Sequence, residues 1–201
     1  MGRKGGRNPW AKADRFTKAA KRDGYAARSV YKLTEMDKRF RLLKSGQKVV
    51  DLGCSPGSWS RYVLERIGAS GCLVGVDINE PEFGGATVLI RSVLDVEADE
   101  LLGALGGPAD VVLSDMAPRT TGNPLGDHVD QVMLAKRAAE LAKAVLRPGG
   151  HFVVKVFDGE EAPAYVQEVR VDYDKHKRVR PEAVRRVSRE FFLVCTGFRA
   201  S

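Results

Sequence analysis

KVVDLGCSPGSW, residues 48–59, is the most informative segment of this 201-residue sequence. An apolar run ends at Gly53, and a second glycine, Gly57, precedes a segment with helical character. This order predicts a buried strand, a tight turn and a helix. Glycines let the backbone of such a turn approach a ligand closely, and the free N–H groups of the helix start can bind polar groups.

Similar apolar runs recur along the chain and alternate with helical patterns. They predict further strands at 72–77, 87–90, 110–115, 151–157 and 190–195, and helices near 26–40, 130–146 and 162–171. Continuously apolar strands that alternate with helices indicate a mostly parallel central sheet with helices on both faces, which is an α/β, Rossmann-like fold. Residues 1–22 lack periodicity and are predicted to be a flexible basic arm, and residues 23–201 a single domain.

The composition excludes several classes of protein. Hydrophobic residues at 43% and charged residues at 29% suit a soluble globular chain rather than a disordered one. No apolar run approaches the roughly 18–20 residues that a membrane span needs, and the N-terminus does not look like a secretory signal. Cys54, Cys72 and Cys195 lack metal-ligand spacing, so we expect free thiols, no bound metal and a reducing cytoplasmic location.

The net charge of +7 is unevenly distributed. Residues 1–48 carry 15 basic and 4 acidic side chains, residues 49–134 carry 4 and 13, and residues 135–201 carry 14 and 9. A basic head and tail thus flank an acidic middle. Cationic surfaces attract nucleic acid, although solvated surface lysines and arginines explain the composition equally well.

Acidic residues stand where the predicted strands end. Asp77 is suited to bind ribose hydroxyls, because a carboxylate accepts two hydrogen bonds. Asp95 can accept from an exocyclic amine while Val96 packs on an adenine ring, and both aspartates have an alternative role as turn caps. The spacing G-x-x-x-G at Gly53 and Gly57 departs from the dinucleotide pattern G-x-G-x-x-G, which disfavours a dehydrogenase.

Five motifs in order, DLGCSPGSWS, GVDINEP, LSDMAP, LRPGGHFVVKVFDGE and SREFFLV, resemble the FtsJ-type family over residues 26–199. These are S-adenosylmethionine-dependent ribose 2′-O-methyltransferases. The resemblance implies their fold and S-adenosyl-L-methionine as cofactor. The cofactor-binding residues that it implies are Asp51, Gly53, Gly57, Trp59, Asp77, Asp95 and Asp115.

The resemblance also implies a catalytic tetrad of Lys32, Asp115, Lys155 and Glu190. A lysine acts as a general base only when it is neutral, which burial and a second cation favour. Lys155, on an apolar strand, is the predicted base and Lys32 the neighbouring cation, with both carboxylates orienting them. Without the resemblance, Lys32 is one more surface lysine and Glu190 a surface ion pair.

The implied substrate is a uridine ribose of 23S ribosomal RNA in the large (50S) subunit, methylated by a monomer with no membrane contact. The alternatives are methylation of tRNA ribose and a non-catalytic role in ribosome assembly.

Tyr25 or Tyr31 can stack on a splayed base or pack internally. The family's turn commonly has glycine where this chain has Ser58. The predicted RNA-binding cations are Arg3, Lys4, Arg7, Lys12, Lys18, Lys21, Arg22, Lys175, Lys177, Arg178, Arg180, Arg185, Arg186 and Arg189.

Overall fold

A computed structural model describes residues 11–118, 124–185 and 188–200, and one seven-stranded sheet forms its centre. The apolar runs that define the strands are buried on both faces in the middle of the sheet. The strands are β1 (Lys48–Leu52), β2 (Cys72–Asp77), β3 (Thr87–Ile90), β4 (Ala109–Ser114), β5 (Leu146–Phe157), β6 (Tyr173–Val179) and β7 (Glu190–Phe198).

The strand order is β3-β2-β1-β4-β5-β7-β6. The first five strands run parallel, whereas β7 is antiparallel to β5, and β6 to β7. The chain order reverses between β1 and β4, and open α/β sheets bind ligands at such a point, beyond the carboxyl ends of the strands. The predicted α/β, mostly parallel fold is confirmed.

Helices cover both faces of the sheet, as continuously apolar strands require. The helices are α1 (Ala11–Arg22), α2 (Val30–Phe40), α3 (Ser58–Ile67), α4 (Ala98–Leu105), α5 (Pro124–Val145) and α6 (Ala162–Arg170), and a 3₁₀ turn spans Val93–Asp95. Residues of α2 and α3 belong to one buried cluster with Val153 and Phe192. Residues of α4, α5 and α6 belong to the other, with Val154 and Leu193.

The structure differs from the sequence-based prediction in its first segment, because residues 11–22 form helix α1. Ala20 of this helix is buried, and the Phe16 ring lies 5.6 Å from the Tyr31 ring of α2. Arg15 makes an ion pair of 3.5 Å with Glu182. The helix is amphipathic, and these contacts pack it against α2 and against the segment that follows β6.

Two further elements, α4 and β6, were not predicted. Strand β6 lies at the edge of the sheet and exposes every residue between Tyr173 and Val179, so its sequence is charged rather than apolar. None of the helices in the described ranges combines the length and the apolar character that crossing a membrane requires.

Candidate active site

A cleft of about 480 Å³ opens where β1, β2 and β4 end. Gly53 follows β1, Asp77 ends β2 and Asp115 follows β4, so the parallel order of these strands brings the three residues to one edge. The residues that line the cleft are Gly53, Ser55, Val76, Asp77, Ile78, Asn79, Arg91, Ser92, Val93, Asp115, Met116, Ala117, Pro118 and Leu134.

The turn after β1 requires glycine at two positions. Gly53 has a φ of 84° and Gly57 a φ of 120°, in the left-handed region that side chains disfavour. A Cβ on Gly53 would lie 2.6 Å from Met116 Cγ, and one on Gly57 would overlap the Phe83 ring. The two glycines therefore let β4 and the segment after β2 pack closely against the turn.

Asp77 both supports this turn and lines the cleft. Its Oδ2 accepts a hydrogen bond of 3.0 Å from the backbone N–H of Ser55, and its Oδ1 one of 2.8 Å from that of Asn79. Oδ1 also accepts a 3.3 Å hydrogen bond from Asn79 Nδ2, whereas Oδ2 keeps a second lone pair that can accept from a ligand hydroxyl.

Asp51 lies fully buried, outside the cleft lining. Ser60 Oγ donates a 2.5 Å hydrogen bond to its Oδ2, whereas its Oδ1 has no hydrogen-bond partner among the described residues. Burial, together with the negative charges of Asp115 and Asp77, raises the pKa of Asp51 to about 7.

Three of the other predicted cofactor residues are not among the residues that line the cleft: Gly57, Trp59 and Asp95. Asp95 is exposed at the end of the 3₁₀ turn, and Val96 is fully buried in the core. Val93, two residues before Asp95, lines the cleft instead. Sequence reasoning missed Arg91, Ser92, Val93 and Leu134, while Met116 and Pro118 belong to the LSDMAP motif and were open to detection.

The four residues of the predicted tetrad meet beside the cleft. Lys155 Nζ lies 3.0 Å from Asp115 Oδ1 and donates a 2.6 Å hydrogen bond to the Asp115 backbone carbonyl. Lys32 Nζ lies 2.6 Å from Glu190 Oε1 and 3.8 Å from Asp115 Oδ1. Both lysines are buried, with 8% and 6% of the surface of Lys32 and Lys155 exposed. One oxygen of Asp115 therefore contacts two buried ammonium groups.

Each member of the tetrad is placed by a different element. Lys32 comes from α2, Asp115 from the end of β4, Lys155 from β5 and Glu190 from the first residue of β7. Lys155 pairs across the strands with Phe192, so it points to the same sheet face as that ring. Lys32 Nζ lies 5.4 Å from the centre of the Phe192 ring, within cation–π range.

The start of α3 holds the start of α2. Ser58 Oγ accepts a 2.6 Å hydrogen bond from the backbone N–H of Ala27, and Trp59 Nε1 donates one of 2.8 Å to the Ser29 carbonyl. The Trp59 ring packs 5.7 Å from Phe192. Ser58, which departs from the family's usual glycine, thus links the glycine turn to the helix that carries Lys32.

The predicted RNA-binding cations fall into two groups. Lys18, Lys21 and Arg22 are exposed on α1, and Lys175, Lys177 and Arg178 on β6. Arg178 pairs with Asp158 at 2.8 Å and lies over the Phe191 ring. Arg180 donates hydrogen bonds to the carbonyls of the segment leading to Glu190, which includes Arg185, and Arg189 is exposed beside Glu190. Arg3, Lys4, Arg7, Arg186 and the side chain of Lys12 lie outside what the structure describes.

Both tyrosines that were candidates for base stacking make internal hydrogen bonds. Tyr25 donates 2.7 Å to Glu65 Oε2, and Tyr31 donates 2.7 Å to Asp23 Oδ2. The Tyr31 ring also contacts Phe16. These contacts favour packing as the role of both rings.

Comparisons with known proteins agree with this site. The model of the FtsJ-like methyltransferase family matches residues 25–198. A relative from Desulfatibacillum aliphaticivorans, named ribosomal RNA large subunit methyltransferase E, is 42% identical over 195 residues, which cover 96% of this chain and 93% of the relative. One of the same name from Sorangium cellulosum is 46% identical over 191 residues, covering 94% and 89%.

A crystal structure described as a ribosomal RNA methyltransferase from Plasmodium falciparum shares the fold. Its TM-score is 0.76 at 24% sequence identity, and the match covers 87% of this chain and 98% of that one. The family match spans the glycine turn, the cleft and all four tetrad residues. The chain is a methyltransferase that belongs to the FtsJ-like family.

Proposed function

We propose that this chain transfers a methyl group from S-adenosyl-L-methionine to the 2′-hydroxyl of a uridine ribose in 23S ribosomal RNA of the large subunit. The observation that carries the proposal is the contact of two buried ammonium groups with one oxygen of Asp115, a residue that also lines the cleft. The names of the relatives, ribosomal RNA large subunit methyltransferase E, support this substrate class.

The cleft suits the proposed cofactor. Its volume of about 480 Å³ lies within the usual range for small-molecule sites. Gly53 offers a bare backbone, Asp77 offers acceptor oxygens for ribose hydroxyls, and Asp115 offers a negative charge. When bound, the cofactor supplies an electrophilic sulfonium methyl group. We propose that Gly53, Asp77 and Asp115 contact it directly, with Asp51, Gly57 and Trp59 supporting the cleft walls and Asp95 at its rim.

The contacts of the two lysines favour Lys155 as the general base. Lys32 Nζ lies near two carboxylates, Glu190 at 2.6 Å and Asp115 at 3.8 Å. Lys155 Nζ contacts one carboxylate and one neutral carbonyl. The nearest carboxylate to Lys155 Nζ belongs to Asp115, which lines the cleft, whereas the nearest to Lys32 Nζ belongs to Glu190, which does not. Lys155 is therefore the lysine that we assign to the reacting hydroxyl.

In the proposed reaction, the neutral amine of Lys155 accepts the proton of the 2′-hydroxyl as the ribose oxygen forms its bond to the methyl carbon. A bound S-adenosyl-L-methionine would supply the methyl group, with sulfur keeping the electron pair, and Lys155 later releases the proton to water. Asp115 and Glu190 orient the two lysines. Asp115 Oδ1 is itself engaged by both ammonium groups.

The role of Lys155 is tested by replacing it with arginine, which keeps the charge but does not deprotonate in proteins. We expect Lys155→Arg to lower the single-turnover rate of methyl transfer by at least about 10²–10⁴-fold, the usual contribution of general-base catalysis. Cofactor affinity, measured by calorimetry, should stay within about threefold. A matched control is Lys48→Arg, whose ammonium group contacts the Gly106 carbonyl away from the cleft. Wild-type turnover in Lys155→Arg would refute the base assignment.

The substrate is tested by offering labelled cofactor with large subunits, free 23S RNA, small subunits and tRNA in parallel. We expect label in the large subunit, at a uridine whose 3′ linkage resists alkaline cleavage because its 2′-oxygen is methylated. Label in tRNA would favour the tRNA alternative. Binding to large subunits without any methyl transfer would favour the assembly-factor alternative.

We also propose that residues 23–201 form a single domain, that residues 1–22 are an arm that binds RNA, and that the enzyme works in the cytoplasm. The active form that we propose is the monomer. All four tetrad side chains come from one chain, which supports the monomer. Sedimentation of the active enzyme tests this, with an active species of twice the 22.0 kDa chain mass as the contradicting result.

A further inference from the structure

A buried amide lies directly behind the proposed base. Gln131 of α5 has 1% of its surface exposed. Its Nε2 donates a 2.6 Å hydrogen bond to the backbone carbonyl of Lys155, and its Oε1 accepts one of 2.9 Å from the backbone N–H of Phe157. Gln131 does not line the cleft and approaches β5 from the helix layer that contains α5.

The sheet explains why an amide is needed at this place. The parallel pairing of β4 with β5 ends at Ser114 and Val154, because the chain turns away to present Asp115. Strand β5 continues to Phe157 and pairs with β7 on its other edge. The backbone groups of residues 155–157 that face the side of β4 therefore have no strand beside them, and buried unpaired groups are costly.

The carboxamide of Gln131 replaces the missing strand. In a parallel ladder, one residue donates its N–H to a carbonyl on the neighbouring strand and accepts from the N–H two residues further along. Gln131 makes the same two bonds, to Lys155 and Phe157, as a strand residue opposite Val156 would. Because Gln131 makes these two bonds, Asp115 can leave the sheet and line the cleft while the backbone at Lys155 and Phe157 stays hydrogen-bonded.

We propose that Gln131 is a positioning residue for Lys155: it fixes the β5 backbone so that Nζ stays against Asp115 at the cleft. This inference rests on the proposed role of Lys155 as the base. Loss of the two Gln131 hydrogen bonds lets the end of β5 move. A displacement of about 1 Å at a reacting group can cost about 100-fold in rate.

The experiment compares Gln131→Met, which keeps the side-chain length without hydrogen bonds, with Gln47→Met. Gln47 is also buried, and its Oε1 accepts a 2.6 Å hydrogen bond from the backbone N–H of Lys44, at the opposite end of β1 from the cleft. We expect Gln131→Met to lower the single-turnover rate about 10- to 100-fold. Its affinities for S-adenosyl-L-methionine and for large subunits should stay within about threefold. Gln47→Met should lower the melting temperature but keep the wild-type rate.

Gln131→Glu provides a readout that a purely structural role would not move. The protonated carboxyl can make both bonds of the glutamine, whereas the ionised form cannot donate to the Lys155 carbonyl. The methyl-transfer rate of Gln131→Glu, divided by that of the wild type at each pH, should therefore fall as the pH rises from 6 to 9. The same ratio for Gln131→Met should stay constant with pH.

Two results would overturn the inference: a wild-type rate in folded Gln131→Met, or a pH-independent rate ratio for Gln131→Glu. If Gln131→Met does not fold, the Gln131→Glu ratio decides alone. Lys155→Arg is measured alongside. An active Lys155→Arg enzyme refutes the proposed base, whereas an inactive one with an unaffected Gln131→Met refutes only the positioning role.

Discussion

Asp115 is the residue on which both halves of the site depend. Its carboxylate contacts Lys155 and Lys32, its backbone carbonyl accepts from Lys155, and its side chain lines the cleft. Among the described residues its Oδ1 makes no directed hydrogen bond, so these ion pairs are the contacts that compensate its burial. Removing its charge leaves two buried cations without a shared anion, which is more damaging than removing a single surface pair.

We therefore expect a graded response to removal of the two carboxylate charges. Asp115→Asn should destabilise the fold by about 3 kcal/mol, as the loss of one partner of a buried pair does, and lower turnover at least about 100-fold. Glu190→Gln keeps an acceptor for Lys32 and should cost about 1 kcal/mol and about tenfold in turnover. Urea unfolding and single-turnover assays measure both. Equal effects of the two variants would contradict this division of roles.

Asp51 makes the stability of the fold depend on pH. Its pKa of about 7 in the folded protein lies above its ordinary value of 3.8. The folded state then binds a proton that the unfolded state releases, so the free energy of unfolding falls as the pH rises from about 4 to about 7. Asp51→Asn should remove this contribution, of up to about 4 kcal/mol, and flatten the slope.

Urea unfolding at pH 4.5 and pH 8 measures the slope for Asp51→Asn. Asparagine can still accept from Ser60, so the buried hydrogen bond is kept. The control is Asp158→Asn, because the Asp158 side chain is 59% exposed and should leave the slope as in the wild type. A slope that persists in Asp51→Asn would show that other groups cause the pH dependence.

At the scale of elements, the α3 start acts as a support for α2. We expect Trp59→Phe, which keeps ring packing but loses the bond to the Ser29 carbonyl, to cost about 1 kcal/mol. Because α2 carries Lys32, turnover should fall about three- to tenfold. Tyr165→Phe is the control: it loses a buried 2.8 Å hydrogen bond to the Ala135 carbonyl far from Lys32, and its turnover should not change. Similar turnover in both variants would refute the support role.

The elements that sequence reasoning predicted are those whose burial leaves a pattern. Strands β1, β2, β4 and β5 are continuously apolar because both of their faces are covered. Strand β6 escaped prediction because an edge strand with five exposed residues shows no apolar pattern. Helix α1 escaped it because Ala20 is the one buried residue among residues 15–22, the part of the helix whose side chains the structure describes.

The site residues likewise divide into those that the sequence pattern predicts and those that it does not. Gly53, Asp77 and Asp115 were predictable because parallel order brings strand ends together. The partners of Lys32 were predicted only through the resemblance, since its contacts with Glu190 and Asp115 depend on how α2 packs over β7. Arg91 and Val93, which also line the cleft, follow β3 in a segment that has no recognisable sequence motif. The resemblance supplied the tetrad, and the structure supplies the contacts from which we propose different roles for its members.

At the scale of the whole molecule, the acidic and basic parts of the chain coincide with the proposed cofactor site and the proposed RNA-binding surface. The acidic middle of the chain holds the glycine turn and Asp115, and the basic ends hold α1 and β6. Lys177 pairs across the strands with Val194, and Val179 with Phe192, so Lys175 and Lys177 lie on the sheet face that carries Lys155. RNA held by these lysines would run along that face toward the tetrad.

We therefore expect Lys175→Gln/Lys177→Gln to weaken RNA binding and raise KM while leaving kcat unchanged at saturation. Each lost phosphate contact should reduce the slope of log affinity against log salt concentration by about 0.7–0.9. Arg170→Gln, which removes one charge and is compared per charge, is the control, because Arg170 is exposed on α6, over the opposite sheet face. Titrations of large subunits at several salt concentrations measure the slope. If Arg170→Gln reduces it as much per charge as the β6 variant does, RNA is attracted by net charge alone, and the face carrying Lys155 has no special part in holding it.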